Sequence, residues 1–158
     1  MTIIPAENGA TAADSIGAVA SDTTSGSTWP LAAEDSFDFV IGLEATPAQA
    51  MERADALLRM ALPLFLERRK GSLAAFEPAA AVLTELVDVT ARYAAGDALV
   101  GRVAFDGFHV TISVGDMHCE LPRPEIEPGL YTVHRLAAEF GQYAGDHGGR
   151  ITWAAVAV

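Results

Sequence analysis

The strongest constraint on this chain is the run from Pro78 to Ala94, Pro-Ala-Ala-Ala-Val-Leu-Thr-Glu-Leu-Val-Asp-Val-Thr-Ala-Arg-Tyr-Ala, its longest uninterrupted helical pattern. Val82, Leu86, Val89 and Tyr93 recur at spacings of four, three and four, and Leu83 and Val87 widen the stripe. That period predicts a helix with a broad apolar face. Pro78 suits the first helical position, where no backbone donor is missed, and Gly96 suits the far end. Glu85 is an acid set within this apolar run, and position 89 lies one turn further along its face.

The composition then bounds what surrounds the helix. A chain of 158 residues, 51% hydrophobic and 20% charged, suits one domain with a sizeable core. No apolar run is long enough to span a bilayer. The N-terminus lacks a basic stretch followed by an apolar one, so a cytoplasmic location is expected rather than secretion. The one cysteine, Cys119, excludes an internal disulfide and fits a reducing compartment. A net charge of −11 argues against a nucleic-acid partner, because phosphate binding needs a positive surface. It leaves room for a basic protein partner.

Residues 1–34 are rich in Ala, Gly, Ser and Thr, and are read as a flexible tail that buries too little to offset its ordering entropy. Trp29-Pro30-Leu31 is its only sticky spot, read as a chance apolar patch or a strap onto the parent domain ahead of a partner-binding motif. The domain proper spans 35–158. Phe37, Phe39, Ile41 and Leu43 alternate with Asp38, Val40, Gly42 and Glu44, which predicts a strand with one buried face. Thr46-Pro47-Ala48-Gln49 has the form of a capping box with proline at the first helical position. The helix it opens carries Met51, Ala54, Leu58, Ala61, Leu62 and Phe65 on one side, and Pro63 is expected to kink or end it near Leu62. Glu67-Arg68-Arg69-Lys70-Gly71 reads as a solvated C-terminal turn.

Beyond the central helix, Ala98 to Phe105 and Phe108 to Val114 flank Asp106-Gly107, a hairpin signal in which both turn residues must accept positive φ. Val110, Ile112 and Val114 should face one way, and His109, Thr111 and Ser113 the other. Residues 115–128 form a proline-rich loop. Leu130, Val133, Leu136, Ala137 and Phe140 mark a short helix ended by Gly141, Gly145 to Gly149 a turn, and Ile151 to Val158 a final strand. The expected fold is α+β, a two-layer α/β sandwich whose mixed, largely antiparallel sheet carries helices on one face.

The stretch Glu85-Leu86-Val87-Asp88-Val89-Thr90-Ala91-Arg92-Tyr93-Ala94 resembles the Glu-Leu-Val-x-Asn-Ala-x-x-His-Ala helix of GHKL-type, histidine-kinase-like ATPase domains. The nearest group is the stand-alone branch that includes anti-sigma-factor serine kinases. Three further pieces follow in the family's order. Val110 to Asp116 is similar to its strand ending in aspartate, Gly129-Leu130-Tyr131-Thr132-Val133-His134-Arg135-Leu136-Ala137 to its Gly-Leu-x-Leu-Val-x-x-Leu-Ala helix, and Gly148-Gly149-Arg150-Ile151-Thr152-Trp153-Ala154 to its closing strand. The resemblance covers roughly residues 36–158. It implies a histidine-kinase-like ATPase fold and a nucleotide pocket at Glu85, Val89, Asp116, Gly129 and Ile151. Glu85 would be the base, Asp116 the adenine-recognising acid, and the cofactor ATP with magnesium.

The sequence departs from that pattern at the chemistry. The metal-holding asparagine is Val89, which has no donor or acceptor for a hard cation. The glycines expected after Asp116 are replaced in the run Met117-His118-Cys119-Glu120. The phosphate-facing Gly-x-Gly is Glu127-Pro128-Gly129, which adds like charge and removes a donor. The adenine-contacting threonine maps to Ile151, with Thr152 on the opposite face. A charge-assisted hydrogen bond is worth about 1.5–3 kcal/mol, so a site without several of them binds more weakly by orders of magnitude. Glu85 is therefore read as capping or pairing locally, near Arg92 or a lysine elsewhere. His118, Cys119, His134 and His147 match no zinc spacing, so no metal is assigned. Three readings stay open. The first is a vestigial nucleotide pocket on a domain that binds a sigma factor, an antagonist or another regulator, with a homodimer implied by the branch. The second is an active serine kinase with Glu85 as base. The third is a small-ligand module in a pocket made more apolar by Val89, Tyr131 and Ile151.

Overall fold

The computed structural model describes residues 35–42, 44–68, 73–146 and 148–158. The expected tail at 1–34, Leu43, Arg69 to Gly71 and His147 lie outside the described residues. Among the described residues, five strands and three α-helices follow in the order β1 (Asp35–Gly42), α1 (Pro47–Arg68), α2 (Phe76–Arg92), β2 (Ala98–Phe105), β3 (His109–Met117), α3 (Gly129–Leu136), β4 (Glu139–Ala144) and β5 (Arg150–Ala157). A short 3-10 turn, Leu73–Ala75, leads into α2. The fold is α+β. Its sheet runs β1-β2-β3-β5-β4, and all four pairings are antiparallel, so the sheet is not mixed.

Alternation decides which face meets the helices. Phe39 and Ile41 on β1, Leu99, Val103 and Phe105 on β2, and Val110, Ile112 and Val114 on β3 are buried, and register places them on one face. Ala154 and Val156 continue that face on β5. Gly101, opposite Phe39, is what admits the Phe39 ring, since a side chain there would run into it. Val82, Leu83, Leu86, Val87 and Val89 of α2 enter the same core. In keeping with this, α2 packs on β3 and β5, and α1 on β1 and α2.

The capping box forms. The Thr46 amide donates to Gln49 Oε1 at 3.0 Å, and the Gln49 amide donates to Thr46 Oγ1 at 3.3 Å. Pro63, however, does not end α1, which runs on to Arg68. A proline inside a helix costs about 3 kcal/mol. Burying one leucine contributes roughly 1.5–3 kcal/mol, and Leu58, Leu62 and Leu66 are all fully buried along this stripe. The apolar stripe wins.

The central helix is shifted from its expected bounds. It begins at Phe76, so Pro78 is its third residue, still among the positions whose amides lack helical partners. It ends at Arg92, before Gly96 can act as a cap. Instead the departing chain docks on the end of β3: the Ala95 amide donates to Asp116 O at 2.9 Å, and the His118 amide to Tyr93 O at 3.0 Å. The hairpin tip is also one residue later than expected. Phe105 pairs with Val110, which leaves Gly107 and Phe108 at the turn, with Gly107 at φ 98°. Glycine thus holds the first central position, as a type II′ turn requires. Asp106 Oδ1 accepts the amides of Phe108 and His109, both at 2.7 Å.

The largest departure is β4. The apolar spacing predicts a last helix running through Phe140 to Gly141, yet α3 stops at Leu136 and Ala137 is already extended. Ala138 then donates to Ala155 O at 2.8 Å, and Phe140 pairs with Ala154 as part of an edge strand. Leu136, Ala137 and Phe140 fit a helical period, but so short an apolar run fits a strand equally well, and β5 offers it a ladder.

Candidate functional site

The C-terminal half of α2 presents Glu85, Asp88 and Arg92 along one edge, while Val89 is 1% exposed and belongs to the core. Glu85 is half-buried, and its carboxylate lies against Gly129, the first residue of α3, where any side chain would collide with it. Burial pushes the Glu85 carboxyl above its ordinary value, the neighbouring Asp88 charge adds to this, and Arg92 opposes it. Arg92, which the sequence suggests as a partner for Glu85, is committed elsewhere: it pairs with Asp88 one turn back and with Glu127 Oε2 at 2.5 Å.

Glu127 sits two residues before α3 and is 6% exposed. Its other oxygen accepts the Tyr93 hydroxyl at 2.8 Å, a bond that raises the pKa of that phenol. A buried carboxylate needs such partners, because desolvation without them costs several kcal/mol. Pro128 has no amide, and the amides of Leu130 and Tyr131 donate to Glu127 O at 3.0 Å and Pro128 O at 3.1 Å. The start of α3 is therefore poorly provided to hold an anion.

The segment between β3 and α3 is pinned at two further places. Gln142 of β4 accepts the Leu121 amide at 3.0 Å and donates to Cys119 O and Thr152 Oγ1, both at 3.3 Å. Thr152 in turn reaches Met117 Sδ at 3.2 Å. At the surface Arg150 meets Glu120 at 3.3 Å.

Asp116 lies at the end of β3, packed against Gly145 and Gly149; a Cβ at those positions would come within 2.9 and 2.6 Å of it. Ile151 packs on Gly115 and Gly145, at 3.0 and 3.3 Å from the same hypothetical atoms. Thr152 pairs with Val114 and is fully buried on the helix-covered side, so Ile151 points to the other face. The structure thus brings Glu85 to Gly129, and Asp116 to Ile151 around Gly145. It leaves Val89 in the core and sets Ile151 on the opposite side of the sheet from it.

These residues do not fit a magnesium nucleotide. Val89 supplies no ligand, and Glu127 places a carboxylate where the resemblance calls for phosphate. Among the described residues no group of three or more His, Cys, Asp or Glu side chains is arranged to hold a metal ion. His118 lies 6.2 Å from the Tyr93 ring, and His134 stacks edge-on to Phe140 at 4.2 Å. No helix among the described residues is long and apolar enough to cross a membrane. Sequence reasoning sees Glu127 as a misplaced charge and misses its partners. Tyr93 lies 34 residues away, and only the fold joins them. Compared with known proteins, the chain matches no family model, and no curated protein matches it.

Proposed function

We propose that residues 35–158 form a histidine-kinase-like ATPase fold, a two-layer α/β sandwich, that no longer uses nucleotide and acts by binding another protein in the control of gene expression. The observation that carries this reading is Glu127, 6% exposed and held by Arg92 and Tyr93 at the entrance to α3. An internal carboxylate has taken the place of an external anion. What remains at this corner is a surface: Ile126 is 67% and Tyr131 54% exposed on either side of the closed junction. An aromatic and an aliphatic side chain on an acidic protein suit a protein partner with an apolar anchor and basic rim. By resemblance that partner is a sigma factor, its antagonist or a similar regulator.

The test is site-specific photo-crosslinking in cells from positions 126 and 131, with position 67 on α1 as control. The reading predicts one dominant adduct with a transcription regulator, absent from the control and lost in Tyr131→Asp. Background labelling alone at both positions contradicts it.

A further inference from the structure

The helix α1 carries two apolar stripes. Ala50, Ala54, Leu58, Leu62 and Leu66 recur every four residues and are buried in the core. On the solvent side Leu57, Met60 and Leu64 recur at three and four, a spacing that sets them on one helical face. Leu57 is half-buried, whereas Met60 is 67% and Leu64 59% exposed. Among the described helices only α1 sets two large, exposed apolar side chains one turn apart. Arg53 lies four residues before Leu57 and Glu67 three residues after Leu64, and both are exposed. The stripe is therefore basic at its N-terminal end and acidic at its C-terminal end. Arg53 reaches Glu44 at 3.6 Å, but both side chains are mostly exposed and such a pair holds weakly.

We propose that this face of α1 joins two copies of the chain, their α1 helices antiparallel about a two-fold axis at Met60. Arg53 and Glu67 lie seven residues to either side of Met60. With Met60 opposite its own counterpart, Arg53 of each copy faces Glu67 of the other, and Leu64 faces Ala56 in the same way. Opposite charges thus meet at both ends and apolar groups meet between them. A parallel pairing sets Arg53 against Arg53 and Glu67 against Glu67. The stripe is complementary to itself, which an isologous interface requires and a contact with an unlike partner does not. From Arg53 to Glu67 is about 21 Å of helix, and one helix pair of that length buries less than the roughly 1,200 Å² of a stable interface. Each copy also carries a net charge of −11. Association is therefore weak, with a dissociation constant on the order of 10–100 μM. The inference does not rest on the reading of the α2–α3 junction, because Ile126 and Tyr131 lie off α1. Pairing makes the molecule bivalent, so that it holds a dimeric or repeated partner more tightly than one copy does.

The test uses the full chain. Sedimentation equilibrium should give a monomer at about 1 μM and mostly dimer at about 0.5 mM, as that affinity dictates. Leu64→Asp should weaken the dimer about tenfold or more with the far-UV circular dichroism unchanged, since an exposed side chain is altered. Arg53→Glu and Glu67→Arg should each weaken self-association several-fold, because each sets like charges against each other at both ends. An equimolar mixture of the two variants should restore the dimer, because both pairs are again opposite in sign. Helices packed about 10 Å apart leave about 5 Å between Cα atoms on the axis, a separation that a disulfide bridges. Met60→Cys in a Cys119→Ser background should therefore cross-link under mild oxidation several-fold faster than Val40→Cys, which is equally exposed on β1. A monomer at every concentration overturns the proposal, as does a dimer that Leu64→Asp leaves unchanged. A mixture no tighter than either charge variant alone overturns it too, and so does cross-linking of Met60→Cys no faster than that of Val40→Cys.

Discussion

Two arginine–carboxylate pairs in this molecule have similar chemistry and different consequences. Arg102 and Asp38 meet on the face of the sheet turned away from α1 and α2, with side chains 41% and 59% exposed, whereas Arg92 and Glu127 meet at the α2–α3 junction with 41% and 7%. Water competes with the first pair and is largely excluded from the carboxylate of the second. An exposed pair contributes about 0.2–1 kcal/mol, while a buried carboxylate that loses its partners costs several times more. The junction therefore holds two helices in place, and the exposed pair only trims the sheet surface.

The comparison breaks most readily at Glu127. Glu127→Ala removes the buried carboxylate that joins Tyr93 and Arg92 to the start of α3, and should lower stability in urea melts by more than Asp38→Ala does. A loss no larger than that of Asp38→Ala would remove the distinction between the two regions. The next effect separates the two faces of the sheet. Gly101→Ala drives a methyl into the buried Phe39 ring and should cost about 1–3 kcal/mol. Gly141→Ala meets the Trp153 indole edge at 3.2 Å, on the side turned away from α1 and α2, and should cost a fraction of that by the same melts.

Titration sharpens the contrast further. Burial raises the Glu85 pKa, so the folded state favours its protonated form. Its favourable contribution is complete below the unfolded carboxyl value and is lost as pH rises through the folded one. Glu85→Gln should therefore be more stable than the parent at pH 7, with the difference vanishing near pH 4; a difference that grows on acidification contradicts this. Asp38 behaves in the opposite sense. Its hydrogen bond with Arg102 lowers its pKa, so its contribution is present above the unfolded value and disappears as pH falls through the folded one. Asp38→Ala should cost less than about 1 kcal/mol at pH 7 and nothing measurable at pH 2, which is the smallest effect of the set.

The strands β1, β2, β3 and β5, the capping box at Thr46 and the broad face of α2 are legible in the sequence, because each rests on a local period or a side chain three residues from its partner. Pro63 and Phe140 are not. At Pro63 a strong local signal yields to the buried stripe of Leu58, Leu62 and Leu66. At Phe140 a weak helical period yields to pairing with β5. The candidate site divides along the same line. Val89 in the core and Glu85 at a helix edge follow from α2 alone. The bonding of Glu127 to Tyr93 and Arg92, and the meeting of Asp116 with Ile151 at Gly145, depend on loops whose course no periodicity encodes.

We propose that the α2–α3 junction, closed by Glu127, Arg92 and Tyr93, does not take nucleotide. Isothermal titration of the full chain with ATP and ADP, with and without magnesium, tests it most directly. The account predicts no binding heat and no shift in melting temperature at millimolar nucleotide. Micromolar affinity that is magnesium-dependent and abolished in Asp116→Asn would contradict it, and would show that Glu127 leaves its partners to admit a phosphate.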